Sequence, residues 1–73
     1  MYSLIVKNPL SHPDGRIFIP GHDLSGLSIF EVAELLVDYP DHFLAKDEFT
    51  RDLMNDVDKL AHYAAAARNK RHG

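Results

Sequence analysis

Residues 16–43 decide the fold, and they read RIFIPGHDLSGLSIFEVAELLVDYPDHF. An apolar run rich in isoleucine ends at Pro20-Gly21, a pattern typical of a β-strand that stops at a turn. A polar loop follows, and apolar residues then recur at helical spacing from Ile29 onward. The stretch therefore predicts a strand, a turn, a loop and a helix in that order.

Four residues specify the start of this helix. Ser28 is a favourable N-cap, and Glu31 three residues later completes a capping box. Leu27 before the cap and Val32 at the fourth helical position are suited to a hydrophobic staple. We therefore expect a well-defined helix that begins directly after Ser28.

Two helices are predicted in all. The first is expected over residues 29–38, because the residue before Pro40 avoids the α region. The second is expected from Asp47, an acceptable N-cap, to about residue 68, because apolar residues recur there every three or four positions. Those apolar positions are Phe49, Leu53, Val57, Leu60, Ala61 and Ala64.

Two strands precede the helices. Residues 2–7 alternate between two faces, as a half-buried strand does. Pro13-Asp14-Gly15 is a turn sequence, and residues 16–19 form the second strand. We expect the two strands to pair as an antiparallel hairpin. The predicted fold class is α+β, with an N-terminal β-hairpin, a short capped helix and a long C-terminal helix.

The composition bounds the class of protein. The 73 residues are enough for one domain and no more. The absence of cysteine excludes disulfides and thiolate metal sites and suits a reducing compartment. No apolar run approaches the ~20 residues of a membrane span, and residues 1–10 lack a signal-peptide pattern. We therefore expect a soluble, cytoplasmic protein without a membrane partner.

The net charge of −3 is unevenly distributed along the chain. Residues 23–58 hold ten acids and two bases, whereas Arg68, Lys70 and Arg71 follow without any acid after Lys59. The acidic body argues against nucleic-acid binding through phosphate contacts. Residues 62–73 are expected to form a basic helical tail that can project beyond the single domain of residues 1–73.

No motif predicts catalysis, a cofactor or a metal site. The five histidines are never closer than ten residues in sequence, so no pair has the spacing of a local metal site. No serine stands in a nucleophile elbow, and Gly21 and Gly26 match no phosphate-binding motif. Surface positions are the simpler interpretation of the histidines, and turn positions that of the glycines. We predict no enzymatic activity and no small-molecule substrate.

Two sets of residues are candidates for partner binding. Glu48, Asp52 and Asp56 are spaced four apart on the predicted second helix, so they would form an acidic stripe that suits a basic partner. A solvated helix face is the alternative interpretation of this stripe. Ile5 and Phe18 are candidates for the outer face of the hairpin, because two helices hardly cover both faces of a two-stranded sheet. The expected partner is a protein or a second copy of the chain.

The layout of residues 2–43 resembles short phage and prophage morphogenesis proteins, notably the Mu-like prophage FluMu N-terminal domain. The shared features are the strand at residues 2–7, the charged turn and strand at 14–19, Pro20-Gly21, the loop Leu24-Ser25-Gly26-Leu27-Ser28, Glu31, and Asp38-Tyr39-Pro40. The long C-terminal helix lies outside the pattern. The resemblance implies a virion-associated or accessory phage protein that works by binding, in the host cytoplasm or the virion.

Two functions are therefore open. The first is a non-enzymatic protein-interaction module, as a phage head-associated, decoration-like or accessory protein. The alternative is a small acidic inhibitor or regulator that docks through Glu48, Asp52 and Asp56 on a basic surface of a host or nucleic-acid-binding protein. Salt dependence separates the two, because docking led by charge weakens with salt and apolar assembly does not.

Overall fold

The computed structural model describes the backbone of residues 1–72 and the side chains of residues 1–70. The elements in this part of the chain are β1 Tyr2–Val6, β2 Leu10–Ser11, β3 Ile17–Phe18, β4 Asp23–Leu27, α1 Ile29–Asp38, β5 Phe43–Ala45, α2 Glu48–Met54 and α3 Val57–His72. The α+β class, the short capped helix and the long C-terminal helix are confirmed. No helix within these residues has the length and apolar character needed to cross a membrane.

β1 is the central strand of a three-stranded antiparallel sheet with the order β4-β1-β5. Leu4 pairs with Leu24 on one side and with Ala45 on the other. The register toward β4 shifts between Tyr2 and Leu4, which marks a bulge. Gly26 lies beside this shift with a φ of 68°. This is a left-handed backbone conformation that residues with a side chain rarely adopt.

The predicted pairing of residues 2–7 with residues 16–19 is wrong. β3 pairs instead with β2 in a separate two-stranded sheet, where Leu10 stands opposite Phe18. The neighbours of β1 come from β5 and from β4, a segment that the sequence predicts as a polar loop. Backbone pairing with a buried central strand overrides the weak intrinsic strand preference of Asp23–Leu27.

α1 begins and ends where the sequence predicts. The Ser28 hydroxyl accepts a hydrogen bond from the Glu31 N–H at 3.1 Å, and the Glu31 carboxylate accepts one from the Ser28 N–H at 3.2 Å. The buried residues of the helix are Val32, Ala33, Leu35 and Leu36. The capping box therefore places a strongly apolar helix directly in the core.

The predicted second helix is in fact two helices. α2 ends at Met54 and α3 begins at Val57, with Asn55 and Asp56 between them. The Asp56 carboxylate accepts a hydrogen bond from the Lys59 N–H at 3.1 Å, so it acts as a cap for the new helix. The break allows α2 to contact β1 and β5 while α3 packs against α1.

α3 does not project from the domain over residues 62–70. Ala64 and Ala67 are buried, and Arg68 forms an ion pair with Asp38 of α1. The Lys70 ammonium lies 4.8 Å from the ring centroid of Phe30, also on α1. Arg68 and Lys70 of the expected tail thus contact α1. The side chains of residues 71–73 lie outside the described residues.

One hydrophobic core joins the sheets and the helices. Its buried members are Leu4, Val6, Phe18, Leu27, Val32, Ala33, Leu35, Leu36, Phe43, Leu53, Leu60 and Ala64. Every element except β2 contributes at least one of them. A single core of this kind means that the outward-facing side chains, rather than a cleft between domains, are the surfaces available for function.

Candidate binding surface

The three predicted acidic residues do not form one helical stripe. Glu48 and Asp52 lie on α2, whereas Asp56 lies in the turn that caps α3. Asp52 and Asp56 nevertheless line the same cleft and the same shallow depression beside it. Glu48 lines neither of them. Two of the three predicted acids are therefore brought together, by the helix break instead of by helical spacing.

An aromatic pair forms one wall of this cleft. The rings of Tyr2 on β1 and Phe49 on α2 are stacked, with centroids 4.7 Å apart and an interplanar angle of 19°. Phe49 nevertheless remains 58% exposed. The stack gives the two rings a defined mutual orientation, and a large part of Phe49 nevertheless remains in contact with water.

The cleft has a volume of about 210 Å³ and is lined by Tyr2, Phe49, Asp52, Leu53, Asp56 and Lys59. A wide, shallow depression adjoins it through the shared Asp52 and Asp56, and Asn55, Val57 and Asp58 complete its lining. Val57 is 73% exposed there. We call Tyr2, Phe49, Asp52, Asp56, Val57 and Asp58 the aromatic–acidic surface.

The negative charge of the aromatic–acidic surface is poorly compensated. Elsewhere among the described residues, three aspartates form the ion pairs Asp14–Arg16, Asp23–Lys46 and Asp38–Arg68, whereas Asp41 and Asp47 form none. Asp52 and Asp58 have no ion-pair partner among the described side chains. Residues 47–59 contain five acids and two bases. The local field therefore favours a cation at this surface.

Phe18, one of the two apolar candidates, belongs to the core. It is 4% exposed, and its ring packs edge-to-face on Phe43 with centroids 5.7 Å apart. The prediction that Phe18 lies on an outer face is therefore wrong. Its neighbours Ile17 and Ile19 point outward instead and are 71% and 64% exposed. The reason is that β3 packs through its pairing with β2 and not through pairing with β1.

Ile5 lies on the outer face of the three-stranded sheet, opposite the buried Leu4 and Val6. Its cross-strand neighbours are Asp23 and Leu44. The Lys46 ammonium, just after β5, lies 2.8 Å from the Asp23 carboxylate on β4, so this ion pair joins the two edge strands across β1. Ile5 is half-buried. Leu44 remains 48% exposed, so this face carries a small apolar pair, Ile5 and Leu44, beside the ion pair.

A second cleft of about 180 Å³ lies between the β2–β3 turn and α1, and it is lined by His12, Asp14, Arg16, Glu31, Glu34 and Leu35. The Arg16 N–H donates to the Asp14 carboxylate at 2.9 Å, and this hydrogen bond chiefly lowers the pKa of Asp14. The Asp14 N–H donates to Nδ1 of His12 at 3.2 Å. The polar groups of the turn thus bind one another. No group of three or more potential metal ligands is present among the described residues.

The aromatic half of the surface was missed by sequence reasoning. The sequence pattern predicts Phe49 as a core position of one long helix and Tyr2 as part of a hairpin. The two residues are brought together by tertiary packing of α2 on β1. No local signal in the sequence distinguishes Phe49 from the buried apolar residues of its helix.

Comparisons with protein-family models, with curated proteins and with solved structures found no match. The resemblance of residues 2–43 to phage morphogenesis proteins therefore stays a prediction, and the functional argument depends on the surface itself.

Proposed function

We propose that this protein is a non-enzymatic protein-interaction module that binds its partner through the aromatic–acidic surface. The observation that carries the proposal is that Phe49 is 58% exposed although its ring stacks on Tyr2. The function follows from what such a ring does in water and at interfaces.

An exposed aromatic ring that is already stacked on a neighbour is well suited to binding. Aromatic side chains are enriched at the centres of protein interfaces, where they bury a large apolar area at a low cost in side-chain entropy. Part of that entropy cost is already met in the free protein, because the stack restricts the ring. Val57 adds a second exposed apolar side chain next to the same carboxylates.

The proposed setting is a virion-associated or accessory phage protein, in the host cytoplasm or the virion. Its support is the resemblance in the layout of residues 2–43, of which α1 and its capping box are the best-defined part. α2, which carries Phe49 and Asp52, lies beyond the stretch that carries the resemblance. The binding surface is therefore proposed from the structure of this chain alone.

The alternative function, an acidic inhibitor or regulator that docks on a basic protein surface, is favoured by a separate observation. Asp52 and Asp58 are exposed and lack an ion-pair partner among the described side chains. Uncompensated carboxylates of this kind increase association rates with basic partners and lose that effect in salt. The two functions share one surface and differ in the partner.

Site-specific photocrosslinking in the cells that encode the protein tests the proposal. A benzophenone amino acid is placed at Val57, at the edge of the surface, and in a matched variant at Val37, an exposed valine on α1. We expect one discrete protein adduct from position 57 and none from position 37. Excess unmodified protein should suppress the adduct, and excess Phe49→Ala protein should not. An adduct that both competitors suppress equally, or no adduct at position 57, contradicts the proposal.

A further inference from the structure

We infer that the aromatic–acidic surface receives an arginine side chain of the partner protein, which stacks on the open face of Phe49 and pairs with Asp52 and Asp56. This inference rests on the proposed function and specifies the chemistry of the partner.

The open face of Phe49 favours a flat cation. Tyr2 covers one face of the ring in a nearly parallel stack, and Phe49 is nevertheless 58% exposed, so the side of the ring away from Tyr2 is where a planar cation would stack. Cations bind over the faces of aromatic rings, and the planar guanidinium group of arginine does so more often than the ammonium of lysine. A stack of two rings with a guanidinium as the third layer continues the same geometry.

The carboxylates beside the ring supply the complementary charge. Asp52 and Asp56 line the same cleft as Phe49. Asp52 has no ion-pair partner among the described side chains, and one oxygen of Asp56 accepts the hydrogen bond from the Lys59 N–H. The guanidinium group has five N–H donors, so it can stack on the ring and still donate to carboxylates at its edge.

The cleft offers room for one side chain. Its volume of about 210 Å³ is below the usual range for small-molecule pockets, which begins near ~300 Å³, and the adjoining depression of about 450 Å³ is shallow and open to solvent, so neither encloses a small molecule. Lys59 also lines the cleft, and it forms no ion pair with a described carboxylate. The Lys59 ammonium therefore leaves the carboxylates available for a partner. Its positive charge repels an incoming cation and so weakens the binding of the partner's arginine.

Two other occupants fit less well. A nucleic acid could stack a base on Phe49, but the five acids of residues 47–59 would repel its phosphates. A second copy of this chain could supply Arg51, which is exposed on α2. That arrangement would make the oligomeric state depend on protein concentration, which the experiment below measures.

The experiment titrates the 73-residue chain with capped peptides and follows the ring protons of Phe49 and Tyr2 by NMR. The first peptide is Gly-Gly-Arg-Gly-Arg-Gly-Gly, and the second replaces both arginines with citrulline, which keeps the shape and removes the charge. We expect saturable shifts with the arginine peptide that weaken as salt is added, and none with the citrulline peptide. Equal binding of the arginine and citrulline peptides overturns the inference. Equally tight binding of a third peptide, in which lysine replaces both arginines, also overturns it.

Variants assign the binding to the named groups. Phe49→Leu keeps apolar bulk without an aromatic face and should weaken the arginine peptide about two- to fivefold. Asp52→Asn should also weaken it, whereas Lys59→Gln should strengthen it. Asp41→Asn makes the same charge change near the far end of β1, where the Asp41 carbonyl accepts from Asn8, and it should leave the affinity unchanged. If Asp41→Asn weakens binding as much as Asp52→Asn, the charge effect is not local and the inference fails.

The outcomes separate this inference from the proposed function. If position 57 gives an adduct but no arginine-specific shift is seen, the protein is an interaction module and the inferred arginine contact is wrong. If arginine-specific shifts are seen but no adduct forms, the cleft binds arginine and the proposed binding of a cellular partner is wrong. Light scattering over a concentration series identifies self-docking: a concentration-dependent dimer that Arg51→Gln abolishes would replace the partner protein with a second copy and overturn the inference.

Discussion

Arg68 of α3 forms an ion pair with Asp38 in the last turn of α1, thirty residues earlier in the chain. Both side chains are substantially exposed, so the pair itself contributes less than about 1 kcal/mol to stability. The closer contact between these helices comes from alanines. Ala64 is 1% exposed and Ala67 is 5% exposed, and their small side chains allow α3 to approach α1.

Enlarging Ala64 should therefore separate the two helices. We expect Ala64→Leu to lower the free energy of unfolding by about 1–3 kcal/mol, because the core around it has no space for additional methyl groups. Ala65→Leu is the matched control, since Ala65 is exposed on the same helix. Urea unfolding of the two variants measures the difference, and equal stability would show that α3 does not pack as described.

The bulge in β4 should depend on glycine. Gly26 has a φ of 68°, and a Cβ added there would meet only a methionine side chain at 3.8 Å. Backbone strain, rather than a clash, should make Gly26→Ala destabilising by about 1–2 kcal/mol. Gly26→Asn should cost less, because asparagine tolerates the left-handed region better. Thermal melts that place the alanine variant at or above the asparagine variant would contradict this account.

Truncation of Phe18 should lower the free energy of unfolding strongly, whereas truncation of Ile17 should hardly change it. Phe18→Ala removes a buried ring and should cost about 3–5 kcal/mol, which a domain of this size can hardly tolerate. Ile17→Ala changes a mostly exposed side chain and should stay within about 0.5 kcal/mol of the parent. Circular dichroism and urea melts distinguish the two. The reverse order would restore the outward placement of Phe18.

Asp47 should contribute to acid sensitivity. Its carboxylate accepts the Thr50 N–H at 2.8 Å, and this backbone hydrogen bond lowers the pKa of Asp47 below its ordinary value of 3.8. A carboxyl whose pKa is lowered by folding stabilises the protein at pH values above 3.8, and this contribution is lost as the pH falls below that value.

Asp47→Asn keeps an N-cap acceptor and removes the titrating group. Near neutral pH its free energy of unfolding should differ little from that of the parent, and between pH 5 and pH 2 (roughly the range in which carboxylates protonate) it should lose less stability than the parent does. Urea melts across that range provide the measurement. Parallel pH profiles for the two proteins would rule out the proposed effect of the cap.

The sequence predicts best where one local signal is sufficient. Ser28 and Glu31 are three residues apart, and their capping box places α1 correctly without any tertiary information. β4 shows the opposite case, because Asp23–Leu27 becomes a strand through its pairing with β1. The break between α2 and α3 is only partly predictable from the sequence. Asn55 and Asp56 are good cap residues, but the helical periodicity of their neighbours conceals the break.

The candidate surface divides in the same way. The acids could be identified in the sequence because charge is a property of single residues, and Asp52 and Asp56 do lie together. The stack of Tyr2 on Phe49 joins residues that are far apart in the chain, and it depends on how α2 docks on β1. Periodicity assigned Phe49 to the core, since a hydrophobic pattern does not reveal which apolar residue is left uncovered.

The central position of β1 has a consequence for synthesis on the ribosome. β1 is made before its neighbour β5, which exists only once residues 43–45 have been added. Until then the growing chain exposes an open strand edge, together with Leu4 and Val6, to any other nascent chain nearby. The sheet cannot be completed before β5 has emerged, so slow elongation through α1 would lengthen the period in which the chain is most prone to aggregate.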